Sequence, residues 1–168
     1  MAGGTVAKTF CPPVLTMMIT TQEFTITQAT ISDLNQLREL DRICFDKDQW
    51  PLIELVAVLI LPGIVRLKAE IDGKLAGFIG GDAHRTEGIG WVTTIAVLPE
   101  HRRRGIARAL MLACETALDM PAVRLSVRRS NLGAQRLYDE LAYRYVDVWK
   151  GYYSDGEDAL IMEKRTLK

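Results

Sequence analysis

The stretch from Trp91 to Ala107 constrains this chain most. Apolar and β-branched residues run from Trp91 to Val97, Leu98-Pro99-Glu100 interrupts them, and Arg102-Arg103-Arg104-Gly105-Ile106-Ala107 follows. Such a segment reads as a strand entering a tight basic turn, with Gly105 opening a helix. A turn of this kind aims several backbone N–H groups at one point, and the helix N-terminus adds partial positive charge. Gly105 and Ala107 leave room for a phosphate oxygen, and the arginines offer charge-assisted hydrogen bonds. The physical reading is a pyrophosphate site. A solvated basic helix start and a nucleic-acid contact are the alternatives the arginine run leaves open. A dinucleotide-binding turn fits less well, because the second of its three spaced glycines is missing.

Around this segment the pattern is regular. Phe24–Ala29 reads as a strand, and Thr30 with Asp33 as a capping box before a helix carrying Leu34, Leu37, Leu40 and Cys44. Trp50-Pro51 punctuates the chain, and residues 52–61 form a short apolar helix that stops at Pro62-Gly63. Val65, Leu67, Ala69 and Ile71 alternate with charged residues, Asp72-Gly73 supplies a hairpin turn, and Leu75–Gly81 returns as a strand. After Gly105 the spacing predicts a helix with Ile106, Leu110, Ala113 and Ala117 on one face. Val123, Leu125 and Val127 alternate with Arg124, Ser126 and Arg128 in a strand, and a helix from Leu132 to Leu141 follows. Strands at Tyr143–Lys150 and Asp158–Arg165 complete the order βααβββαβαββ, an α/β chain with a mixed sheet. Residues 1–22 lack periodicity and read as a flexible arm, with Met17 or Met18 as a candidate start; residues 23–168 read as one domain.

Acidic and basic side chains number 21 each, so no global charge draws the chain to nucleic acid or to an anionic membrane. Cys11, Cys44 and Cys114 show no metal-ligand spacing or disulfide framework, which suits a reducing cytoplasm. No signal peptide, membrane span or metal site is read.

Arg102-x-x-Gly105-x-Ala107 after Ile95-Ala96-Val97 resembles the acetyl-CoA signature of the GNAT family of N-acetyltransferases. The element order from Phe24 to Arg165 is similar to that family's. Leu125–Asn131, followed by Ala134, Leu137 and Tyr138, resembles its second cofactor motif. The string Tyr152-Tyr153-Ser154-Asp155-Gly156-Glu157-Asp158-Ala159 resembles N-terminal protein acetyltransferases, including bacterial enzymes that act on ribosomal-protein alanine. The resemblance implies a mostly antiparallel sheet flanked by helices, acetyl-CoA as co-substrate, and the N-terminal amine of a polypeptide, such as a ribosomal protein, as acceptor. It leaves a lysine or small-molecule amine as a second acceptor class. A non-catalytic acyl-CoA-binding module is a third reading, which the presence of Tyr138 opposes.

Roles follow from the same resemblance. Backbone groups of Ile95, Ala96 and Val97 would hold the pantetheine arm and polarise the thioester carbonyl. Arg102 opens the signature, and backbone N–H groups of Arg103, Arg104, Gly105, Ile106, Ala107 and Arg108 would bind the pyrophosphate. Asn131 would hydrogen-bond the pantetheine, although its position also suits an N-cap. Tyr138 would protonate the departing thiolate. Tyr152 and Tyr153 would line the slot for the acceptor's first residue, with Phe45 and the loop Asp46-Lys47-Asp48-Gln49 on the other wall. Ser126 stands where relatives carry a Glu or His base. Serine cannot take a proton near neutral pH. An α-amine of pKa about 7.7–8.0 is roughly a tenth neutral at pH 7, and a lysine amine less than about a thousandth. Loss of a base is therefore tolerable for an N-terminal amine and costly for lysine. A water relayed to His84, Glu87 or Glu100 is the substitute the sequence offers.

Overall fold

The computed structural model describes residues 23–45 and 48–166; the arm at 1–22, Cys11, Asp46 and Lys47 lie outside the described residues. The strands are β1 (Thr25–Gln28), β2 (Ile64–Ile71), β3 (Lys74–His84), β4 (Ile89–Val97), β5 (Ala122–Arg128), β6 (Arg144–Trp149) and β7 (Ala159–Arg165). The helices are α1 (Leu34–Cys44), α2 (Leu52–Ile60), α3 (Ile106–Leu118) and α4 (Leu132–Glu140). The element order is the one the sequence predicts. Short 3-10 turns at Ile31–Asp33 and Pro99–His101 precede α1 and α3. The Thr30 N–H donates to Asp33 Oδ2 at 2.8 Å, so the capping box forms one turn ahead of α1.

The strands make one sheet in the order β1-β2-β3-β4-β5-β7-β6. Every neighbouring pair is antiparallel except β4 and β5, which run parallel. That pair holds register only from Ile89↔Ala122 to Val92↔Leu125. Beyond Val92 the two strands part. The cause lies in β4's pairing on its other side. Gly80 pairs with Thr94 and Gly81 with Val92, so Thr93 has no counterpart on β3. A bulge of this kind bends its strand. Glycine at position 80 permits it, since a Cβ there would lie 3.0 Å from Thr93 Oγ1.

Helices cover both faces. Leu37 and Leu40 of α1 and Leu55, Val58 and Leu59 of α2 pack with Phe78 and Ala96. On the other face Ile106, Leu110, Met111, Cys114 and Leu118 of α3 and Tyr138 of α4 pack with Ile79, Val92, Val97, Val123, Leu125 and Val127. The buried face of α3 differs from the predicted one. Ala113 is half-buried and Ala117 exposed, while Met111, Cys114 and Leu118 are buried. The stripe advances from Leu110 by four residues to Cys114 and Leu118, not by three to Ala113. The larger side chains remove more apolar area from water, about 25 cal/mol per Å2, and so set the rotation of the helix. Strands β3 and β4 also run past the predicted ends, to His84 and back from Ile89. Gly80 and Gly81 mark the bulge rather than the end of a strand.

Because Val123, Leu125 and Val127 face α3 and α4, strand alternation turns Arg124, Ser126 and Arg128 to the α1–α2 face. There α1 packs on β3 and β4, and α2 on β2. The β5–β7–β6 half of that face carries the site.

Candidate active site

Two parts meet where β4 leaves β5. The first is the turn into α3. Arg103 and Gly105 have φ of +63° and +79°, a left-handed conformation that glycine adopts without strain. The Ala109 N–H is the first on α3 to reach back to a helix acceptor, the Gly105 carbonyl at 3.0 Å. The N–H groups of Ile106, Ala107 and Arg108 therefore point out of the helix start with no intrahelical partner. An ideal Cβ on Gly105 would meet no heavy atom within 4 Å, so open space lies over those donors. The geometry fits a phosphate group.

The arginines divide their work. Arg102 Nε donates to the Val97 carbonyl at 3.0 Å, and Cys44 Sγ reaches the same oxygen at 3.5 Å. Arg102 thus closes the turn from inside. Arg104 Nε pairs with Glu23 at 3.2 Å, and Arg108 stands 4.0 Å from Glu140. Arg103 is exposed, whereas the Ile106 side chain is buried and only its backbone can face a ligand. Ile95, Ala96 and Val97 lie on β4 beyond its last pairing with β5, so the strand edge toward β5 is open there.

The second part is built on β5, α4 and two loops. Asn131 is the N-cap of α4, its Oδ1 accepting from the Ala134 N–H at 3.1 Å. Two turns on, Tyr138 is 4% exposed, with its ring 6.0 Å from that of Tyr143. Burial, and then the neighbouring Tyr153, push the Tyr138 phenol well above its ordinary pKa. It stays protonated across the physiological range and can act only as a donor. Tyr153 is half-buried. Burial raises its phenol too, against the opposing pull of a hydrogen bond with Ser126 and of the Arg128 charge.

Arg128 organises these loops. Its guanidinium grips Asp48 through Nη2 at 2.6 Å and Nε at 2.8 Å, Glu157 at 2.7 Å and Asp155 at 3.1 Å, and it lies 3.9 Å over the Tyr153 ring. One side chain on β5 thereby ties the α1–α2 loop to the β6–β7 loop. Glu157 also accepts from the Ser130 N–H at 2.7 Å, and Asp158 from the Gly151 N–H at 3.0 Å. Phe45 and Asp48 stand on the α1–α2 side of this clasp and Tyr152 and Tyr153 on the β6–β7 side, while Ser126 lies on β5 two residues before Arg128. Behind Phe45, a small cavity bordered by Asp41, Trp50, Thr94 and Ala96 adjoins β4. Asp41 is 6% exposed and accepts the Trp50 N–H at 3.0 Å. Burial raises its carboxyl above the usual range against that hydrogen bond.

His84 and Glu87 are not part of this site. They sit at the β3–β4 turn, where His84 contacts Asp82 at 3.3 Å and Glu87 at 3.7 Å. His84 pairs with Ile89, and Ile95 is about 20 Å further along β4 at ~3.3 Å per residue. One water cannot bridge that distance. Glu100 lies in the exposed turn after β4, at the cofactor end. Asp41 and the pairing of Arg128 with Asp48 escape the sequence reading; the alternation that puts Arg128 on the face of Ser126 was the available signal.

A bent, half-open parallel pair thus feeds a helix start able to hold an anionic group beside the sheet. The sequence pattern of the acetyltransferase (GNAT) family matches residues 34–143, and the chain belongs to that family. The catalytic subunit NAA10 of the N-terminal acetyltransferase A complex of Arabidopsis thaliana is 34% identical over 146 residues, covering 83% of this chain and 76% of that one. An N-alpha-acetyltransferase of Saccharolobus solfataricus is 31% identical over 157 residues, 85% of this chain and 93% of the relative. Among solved structures, the ribosomal-protein-S18-alanine N-acetyltransferase from Escherichia coli superposes with a TM-score of 0.76 at 25% identity, over 84% of this chain and 93% of that one. Among the described residues no helix is long and apolar enough to cross a membrane, and no group of three or more His, Cys, Asp and Glu could hold a metal ion.

Proposed function

We propose that the protein transfers the acetyl group of acetyl-CoA directly to the N-terminal α-amine of a polypeptide. The observation that carries this reading is the Arg128 clasp that joins the α1–α2 and β6–β7 loops on the face of Ser126, next to the edge that β4 opens where it leaves β5; the acceptor slot of this reading lies between those loops. An extended chain end fits such a slot with its first residue between Phe45 and the Tyr152–Tyr153 pair. The relatives' activities support the same acceptor class.

In this reading the N–H groups of Arg103 to Arg108 bind the pyrophosphate, with Arg102 as the brace of their turn. The open edge of β4 at Ile95, Ala96 and Val97 holds the pantetheine arm and polarises the thioester carbonyl. Asn131 caps α4 and contacts the pantetheine. The neutral α-amine attacks the carbonyl carbon, the C–S bond breaks, Tyr138 gives a proton or a strong hydrogen bond to the sulfur, and the nitrogen releases its extra proton to water, from which the phenol is restored. Ser126 and Tyr153 border the amine without serving as a base.

The test is incubation with acetyl-CoA and peptides whose α-amine is free or blocked, following thiol release. Release with free α-amines and none with blocked peptides that contain lysine is the expected result. Release indifferent to blocking would transfer the activity to lysine or small amines.

A further inference from the structure

The Tyr152–Tyr153 pair continues into two indoles that the roles above do not use. Tyr153 meets Tyr152 edge-on with ring centroids 5.2 Å apart, Tyr152 meets Trp149 at 5.3 Å, and Trp149 meets Trp91 at 5.6 Å. Trp149 lies on β6 and Trp91 on β4, with β7 and β5 between them in the sheet. The two indoles touch only by reaching across those strands on the face that Arg124, Ser126 and Arg128 share. The row therefore crosses that half of the face, starting at the Tyr153 ring beneath Arg128. Trp149 is 38% exposed and Tyr152 53%, so the rings present surface to solvent rather than filling a core.

We propose that this row receives the acceptor residues beyond the first and selects apolar sequences over acidic ones; the proposal rests on the reading of the acceptor as a polypeptide N-terminus. The occupant follows from continuity. A chain whose amine sits at Ser126 leaves the slot past Tyr153 and Tyr152. The row is long enough along its contour for about four residues of extended chain. Aromatic faces offer such a chain apolar contact and attract cations, but their negative quadrupole gives nothing to a carboxylate. The guanidinium groups nearby are already engaged, Arg128 by Asp48, Asp155 and Glu157, Arg129 by Asp158, and Arg124 by Glu163 at 2.7 Å. An acidic residue on the row loses hydration, and these guanidinium groups, already paired, offer it no compensation.

The experiment compares kcat/KM for two peptides with the same first residue, one apolar and one acidic at positions two to four. Wild type is expected to favour the apolar peptide about tenfold, on the scale of one modest apolar contact. Trp149→Ala should bring the ratio close to one, and Trp149→Phe should restore most of it. General loss of folding lowers both values and leaves their ratio, so the ratio reports the row itself. Both peptides acetylated with equal kcat/KM by wild type, or a ratio unmoved by Trp149→Ala, overturns the role of the row and leaves the N-terminal reading standing. Neither peptide acetylated while a small amine is accepted overturns both.

Discussion

The Arg128 guanidinium lies 3.9 Å above the Tyr153 ring while the same group holds Asp48 and Glu157. A planar, delocalised cation can stack and fork at once; an ammonium cannot. Arg128→Ala should therefore leave the two loops unconnected, with three carboxylates facing one another. The expected effect is a KM for peptide raised tenfold or more, roughly 1.4 kcal/mol or above, while the KM for acetyl-CoA stays near the wild-type value. Arg128→Lys should recover little. Steady-state kinetics with each substrate varied in turn decide the point. An equal loss for both substrates would make Arg128 a general fold residue.

In the proposed transfer Tyr138 has a single task. Its phenol is buried and its pKa is pushed up, so it carries its proton throughout the range in which the protein works. Tyr138→Phe keeps the ring packed against Tyr143 and removes only the hydroxyl. kcat should fall ~10²-fold, the lower range for general acid catalysis, with acetyl-CoA affinity little changed. Since burial raises rather than lowers the phenol, the kcat profile of wild type should show no alkaline fall from this group below about pH 10. A Phe variant with wild-type kcat would reduce Tyr138 to packing.

At the cofactor end, Gly105 separates two effects that usually come together. A Cβ there meets nothing within 4 Å, yet φ is +79°. Gly105→Ala should then cost the apoprotein about 1–2 kcal/mol of backbone strain and no clash. Gly105→Glu adds the same strain and a negative charge over the N–H groups of Ile106 to Arg108. Calorimetry should find acetyl-CoA binding lost in the Glu variant at comparable thermal stability. Binding that survives Gly105→Glu would remove the pyrophosphate from this turn.

These features were unequally legible in the sequence. Local ones could be read directly: the Asp72-Gly73 turn, the Thr30–Asp33 box, the Asn131 cap and the alternation of β5 depend on residues close in the chain. The clasp could not, because Arg128 finds Asp48 across 80 positions and Glu157 across 29. Nor could the aromatic row, whose two tryptophans come from strands that do not pair. The parting of β4 from β5 is intermediate. Gly80-Gly81 signalled a disturbance, but only the register shows it as a bulge that bends β4. His84 shows the converse case: it is a titratable residue just before a central strand, and a pleated length of chain makes it part of the turn rather than of the chemistry.

The position of Ser126 leads to the most particular expectation. Burial raises the phenol of the nearby Tyr153, so neither side chain takes a proton near neutral pH. His84 and Glu87 are out of reach at the far end of β4. If no other side chain replaces the missing base, the enzyme uses acceptor amine that is already neutral. kcat/KM for peptide should climb with pH and level off near the pKa of the peptide's own α-amine, about 7.7–8.0 for an ordinary terminus. A peptide with a lower terminal pKa should reach its plateau at correspondingly lower pH, and lysine side chains should be poor acceptors. Ser126→Glu should flatten the acidic side of the profile, provided the new carboxylate reaches the amine directly or through one water. The measurement is kcat/KM against pH for two peptides of different terminal pKa. An inflection that stays fixed when the peptide changes would mean that an enzyme group titrates instead. Asp41 would then be the residue to replace, since its buried carboxyl is raised above the usual range and borders the cavity behind Phe45 and Thr94. Asp41→Asn would keep the acceptor for the Trp50 N–H and abolish the titration, so a fixed inflection lost in that variant would assign the base.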